Sequence, residues 1–92
     1  VKEVEIHFKL GNALSRKGNF EDAGKSFLAA IAIEPDHARA HNNLGIVLMH
    51  QGDVPGAVVH FRDAIKYDPD YALAKENLKN AVKLLDDSRN NP

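Results

Sequence analysis

Between His41 and Pro69 the chain reads HNNLGIVLMHQGDVPGAVVHFRDAIKYDP, and its apolar positions fall into two short series. Leu44, Val47 and Leu48, with the polar Gln51 at the next step, are spaced by three and four, as are Ala57, Phe61, Ala64 and Ile65. Each series predicts a helix with one apolar stripe. Between them Gln51-Gly52-Asp53 supplies a stop: Gly52 can take a left-handed conformation, and Asp53 can cap the helix that follows. Pro69 ends the second helix because it lacks an amide hydrogen and disfavours helix at Asp68. The unit is a helix, a tight turn and an antiparallel helix.

The same pattern occurs 34 residues earlier. His7/His41, Leu10/Leu44, Gly11/Gly45, Leu14/Leu48, Gly18/Gly52, Ala23/Ala57, Phe27/Phe61, Ala30/Ala64, Ile31/Ile65, Pro35/Pro69 and Asp36/Asp70 are identical pairs at that offset. A period of this length predicts an all-α solenoid of stacked antiparallel helix pairs. Five helices are expected: 1–17, 20–33, 38–51, 54–67 and 71–88. In the first, Val4, Ile6, His7, Leu10, Ala13 and Leu14 are expected to point largely inward. Asn19 is placed to cap the second, and Gly24 within it suggests close packing. Pro55 falls in the first turn of the fourth, where a missing amide is harmless. Val58, Val59 and Phe61 make that helix apolar on several sides, so its back is a candidate contact surface. The fifth carries an inward stripe of Leu78, Val82 and Leu85. Its outward series of Lys75, Glu76, Lys83, Asp86 and Asp87 is what a terminal cap requires, and Asn90 to Pro92 should fray.

Leu44-Gly45, Leu48, Gly52, Ala57, Phe61, Ala64 and Pro69 resemble the signature of a tetratricopeptide repeat. Leu10-Gly11, Leu14, Gly18, Ala23, Phe27, Ala30 and Pro35 resemble a second copy. The resemblance implies one domain over residues 1–92, with repeat 1 at 4–37, repeat 2 at 38–71 and a capping helix at 72–88. It also implies large side chains as knobs between helices, and glycine and alanine where helices approach closely. His7 and His41 stand where the family often has tryptophan. The chain begins within a helical pattern, at Val1 rather than methionine, and is read as a piece of a longer protein.

Composition adds limits. Ninety-two residues with 43% apolar content and a formal charge of −1 make one modest core. Near-neutral charge gives no electrostatic reason to expect nucleic acid or an anionic membrane as partner. The longest apolar runs are too short to span a bilayer. Without cysteine there is no disulfide or thiol chemistry, which suits cytosol or an oxidising compartment, with a slight lean to a soluble cytoplasmic protein.

In a stack of this kind the first helix of each unit lines the concave side. By repeat position the groove is expected to present Phe8, Lys9, Asn12, Arg39, Asn42, Asn43, Ile46, Met49, Leu73, Asn77 and Asn80. A carboxamide both donates and accepts, so a row of asparagines can pair with the main chain of an extended peptide, while the apolar members contact its side chains. One family variant clamps a C-terminal carboxylate with two asparagines and three basic residues. Asn12 and Asn43 match the asparagines, but Phe8, Leu73 and Asn77 occupy the basic positions, so a working clamp is not expected.

His37 and His41 are four apart, yet no third ligand with metal spacing lies near them in sequence, and neither a metal site nor a cofactor is expected. Ser15, Ser26 and Ser88 have no placed base, and no glycine-rich phosphate loop exists, so catalysis is not expected either. Two function classes remain: a module binding a peptide or partner segment in the groove, and a scaffold that extends a longer array or self-associates weakly.

Overall fold

The structure is a computed structural model that describes residues 2–90. Its elements are α1 (Glu3–Arg16), α2 (Phe20–Ile33), α3 (Ala38–His50), α4 (Val54–Tyr67) and α5 (Ala72–Asn90). The boundaries follow the signals in the sequence closely. Gly18 and Gly52 have φ of 80° and 82°, the left-handed conformation that closes each helix pair at no steric cost. The amides of Asn19 and Asp53 then return to the carbonyls of Leu14 and Leu48, at 2.9 and 2.8 Å.

The two turns differ in one respect. Asp53 accepts from the Gly56 amide at 3.0 Å, whereas Asn19 makes no side-chain cap despite a similar backbone. A carboxylate offers two acceptor oxygens and gains from the positive helix terminus, and a carboxamide has half that acceptor capacity and no charge. An unforeseen cap starts α3, where His37 Nδ1 accepts from the Ala40 amide at 3.0 Å.

Each repeat closes around one phenylalanine. Phe27 is fully buried with Ala23, Leu44 and Val47, and Phe61 is buried with Ala57, Val58 and Ala81. Leu78, Val82 and Leu85 of α5 pack on the Phe61 cluster, while Lys75, Glu76, Lys83, Asp86 and Asp87 are exposed. Asn90 closes α5 rather than fraying from it; Asn91 and Pro92 lie outside the described residues.

Three expectations about facing need correction. Ile6 and Leu10, expected inward, are 52% and 47% exposed. Their counterparts Ala40 and Leu44 are buried, because α2 lies against α3 in the way no described helix lies against that side of α1. On α4, Val58 turns inward with Phe61 and only Val59 of that trio is exposed, so the back of this helix is not a continuous apolar surface. Gly24 is buried, yet a Cβ there would sit 3.8 Å from Leu44 and Val47, so the packing leaves room for a methyl group.

Candidate functional site

Helices α1, α3 and α5 form one layer, and the asparagines stitch it together. Asn77 Nδ2 donates to Asn42 Oδ1 at 3.0 Å, Asn42 Nδ2 donates to Asn43 Oδ1 at 3.3 Å, and Asn43 Nδ2 donates to Asn12 Oδ1 at 2.8 Å. The donors run in one direction from α5 through α3 to α1. Among the described residues Asn12 acts only as an acceptor and Asn77 only as a donor. The row therefore ends in an amide NH2 at Asn12 and a carbonyl oxygen at Asn77, while its interior pairs are already made.

Asn42 is the member that departs from the expected groove. It is completely buried, because α5 crosses over it and Asn77 closes on its oxygen, so its carboxamide is a strut between helices. Tyr71 is beside it, and burial pushes the Tyr71 phenol above its usual range, opposed by the Arg39 charge and a hydrogen bond with Asn42. Ile46 and Met49 are also drawn inward. One helical turn apart, they share a stripe that packs on the Phe61 cluster, and they are half-buried.

At the α1 end of the layer is a cavity of about 470 Å³ lined by Phe8, Lys9, Asn12 and Arg39, together with Lys2, Val4, Glu5, Glu34 and His37. Phe8 anchors it. Its ring lies 6.0 Å from that of Phe27 and 4.7 Å from that of His37, and the Arg39 guanidinium carbon stands 5.8 Å above its face. Four residues expected in the groove thus share one pocket. Leu73 and Asn80 are exposed on α5, away from it. Glu34 and His37 were not expected in the pocket: they belong to the connection between α2 and α3, and assigning residues by helix position passes over connections.

The histidine pair suggested by spacing does not converge. His37 caps α3 and stacks on Phe8, while His41 turns between α3 and α4. There it meets His60 and Asp63, 19 and 22 residues later in the chain. The available signal was that His60 and Asp63 are three apart, on one face of the fourth helix.

This geometry defines a class: stacked helix pairs with glycine gaps facing phenylalanine knobs and an inner layer joined by side-chain bonds. The family model for the tetratricopeptide repeat matches residues 8–72, and the chain belongs to that family. Among solved structures it is similar to the TPR2B domain in the pHsp70 complex of yeast Sti1 (TM-score 0.87, 23% identity, 89% of this chain and 66% of that one). It is also similar to MamA (0.85, 24%, 87% and 47%). A third is YrrB, described as a TPR protein with an unusual peptide-binding site (0.81, 28%, 84% and 40%). The chain spans less than two thirds of each of these. A comparison with curated proteins finds no match. Among the described residues, no helix is long and apolar enough to cross a membrane.

Proposed function

We propose that the chain is a protein-interaction module that takes an extended peptide segment along the layer of α1, α3 and α5. The observation that carries this is the pocket of about 470 Å³ built on Phe8, which opens at the Asn12 end of the asparagine row. Its size has room for an apolar side chain against the ring together with adjoining residues, and mixed charges at its rim, Lys9 and Arg39 with Glu5 and Glu34, suit polar neighbours. The peptide main chain runs past Asn12, Asn43 and Asn77 toward Leu73 and Asn80. It uses the free ends of the asparagine row, while Asn42 holds the layer from below. Ile46 and Met49 contribute only their outer edges. Similarity to the TPR2B domain seen with pHsp70, and to YrrB with its peptide-binding site, supports a peptide as the partner. The tetratricopeptide fold is an interaction fold, and no reaction is proposed.

Arg39 on α3 lines the pocket and Leu73 stands at the same repeat position on α5, and both are exposed, so replacing them tests the groove without opening the core. Peptides captured from a diverse array by the native chain should lose about tenfold or more in affinity with R39E/L73S, at unchanged helicity. Equal capture by both proteins would refute the groove.

A scaffold role has an observation of its own. Ile6 and Leu10 lie one turn apart and exposed on α1, at the positions where Ala40 and Leu44 of α3 are buried by α2. A second copy, or another repeat of the same kind, has a helix of the right form to cover them. Sedimentation velocity should show concentration-dependent self-association of the native chain that I6K/L10K abolishes; a native chain monomeric at millimolar concentration would remove self-association from consideration.

A further inference from the structure

We propose that His41, His60 and Asp63 form a binding site for a divalent transition-metal ion of the zinc class, distinct from the peptide layer. The three donors come from both helices of the second repeat, His41 from α3 and His60 and Asp63 from α4. One ligand atom from each falls within 4.8 Å of the others. His41 Nδ1 is 3.2 Å from His60 Nδ1 and 3.9 Å from Asp63 Oδ2. Two imidazole nitrogens on a tetrahedral zinc, each about 2.0–2.1 Å from the metal, are about 3.4 Å apart. The nitrogen pair is thus already at nearly the required separation. The carboxylate is about half an ångström too far from His41 Nδ1 and within 4.8 Å of the other donor, and side-chain rotation from its half-exposed position can bring it in.

The protonation pattern is set for this. His41 Nε2 is 2.8 Å from the Pro35 carbonyl oxygen, to which only an N–H can donate, so the lone pair of the neutral ring is on Nδ1 and faces the cluster. A backbone carbonyl behind a ligating histidine is the arrangement that orients such ligands in metal sites. Without metal, the lone pair accepts from His60 Nδ1–H. On metal binding the His60 proton passes by way of solvent to its own Nε2, both rings stay neutral, and both Nδ1 lone pairs turn to the ion. Burial first, and the neighbouring His41 second, lower the His60 pKa from its usual value, against the opposing pull of Asp63 and Asp53. Two imidazoles and one carboxylate favour zinc, cobalt, nickel or copper over magnesium or calcium, and three protein ligands leave a fourth position for water or an outside donor.

The first repeat provides an internal comparison. At the equivalent places it carries His7, Ser26 and Ala29, which cannot make this set. The variant H60S/D63A therefore installs residues that the same fold already carries one repeat earlier. With Zn²⁺ added, thermal unfolding of the native chain should move to higher temperature as metal concentration rises. Co²⁺ should give the visible absorption of a low-coordinate nitrogen and oxygen site. The variant, with its helicity checked first, should lose the thermal shift and bind Co²⁺ more than about tenfold more weakly. A shift of equal size in both proteins would assign it to His7, His37 and His50 and overturn the proposal, as would no shift in the native chain. Independently of any variant, ¹⁵N spectra of the imidazoles should place zinc on Nδ1 of His41 and His60. Persistence of the His60 Nδ1–H signal in saturating zinc would overturn it too.

Discussion

Phe61→Ala is expected to destabilise the chain by about 3–5 kcal/mol. The ring is 1% exposed and touches three helices: Ala57 and Val58 on its own helix, Gly45 on α3 and Ala81 on α5. Truncation loses the transfer free energy of the ring and leaves a cavity between rigid helical backbones that cannot collapse into it. A domain of 92 residues has in total about 5–14 kcal/mol of stability, so the loss is a large part of it. Urea titration should show a lower midpoint at a nearly constant slope. Amides of α5, whose inward stripe rests on this cluster, should lose exchange protection before those of α1 and α2. A loss under about 1 kcal/mol would mean that the second repeat is not closed around Phe61.

Gly45→Ala is the second. A methyl group there would meet the Phe61 ring at 2.5, 2.7 and 2.9 Å, closer than carbon atoms can approach. The ring is walled in, so the strain spreads into the α3–α4 separation. About 1–3 kcal/mol should be lost, even though alanine is intrinsically the better helix former by about 1 kcal/mol. Gly24→Ala is the control, because its methyl group would find Leu44 and Val47 at an ordinary 3.8 Å. It should gain about 0.5–1 kcal/mol from the same propensity. Opposite signs for the two substitutions in one urea series would establish that the glycine at the repeat position is there for Phe61 rather than for flexibility. Matching signs would refute it.

These two glycines also show where the sequence was legible. Gly45 and Phe61 recur as Gly11 and Phe27, and a gap with a knob at a constant distance along the chain predicts a contact even before any coordinates. Gly24 has no glycine at its repeat counterpart, Val58, and the close approach inferred from it alone is looser than expected. Of the residues expected to line one face, some fall together in the structure. Phe8, Lys9, Asn12 and Arg39 share a pocket, and the asparagine row exists. That its members bond to one another, with Asn42 buried beneath α5, follows from helix-to-helix distances that repeat position does not encode.

By itself the sequence determined five helices, their stops at Gly18, Gly52, Pro35 and Pro69, and the stacking of two like units with a fifth helix against the second. All of these depend on residues within a turn or two of one another, or on the exact return of a spacing. Only the tertiary structure decided what covers each stripe. Leu10 and Leu44 have the same neighbours in sequence pattern, yet one is 47% exposed and the other 3%, because α2 lies over α3 and no described helix lies over that side of α1. It likewise decided that His41 meets His60 and Asp63 rather than His37. The direction of a side chain from its helix is a local property, but its partner is whichever helix the chain brings back to that side.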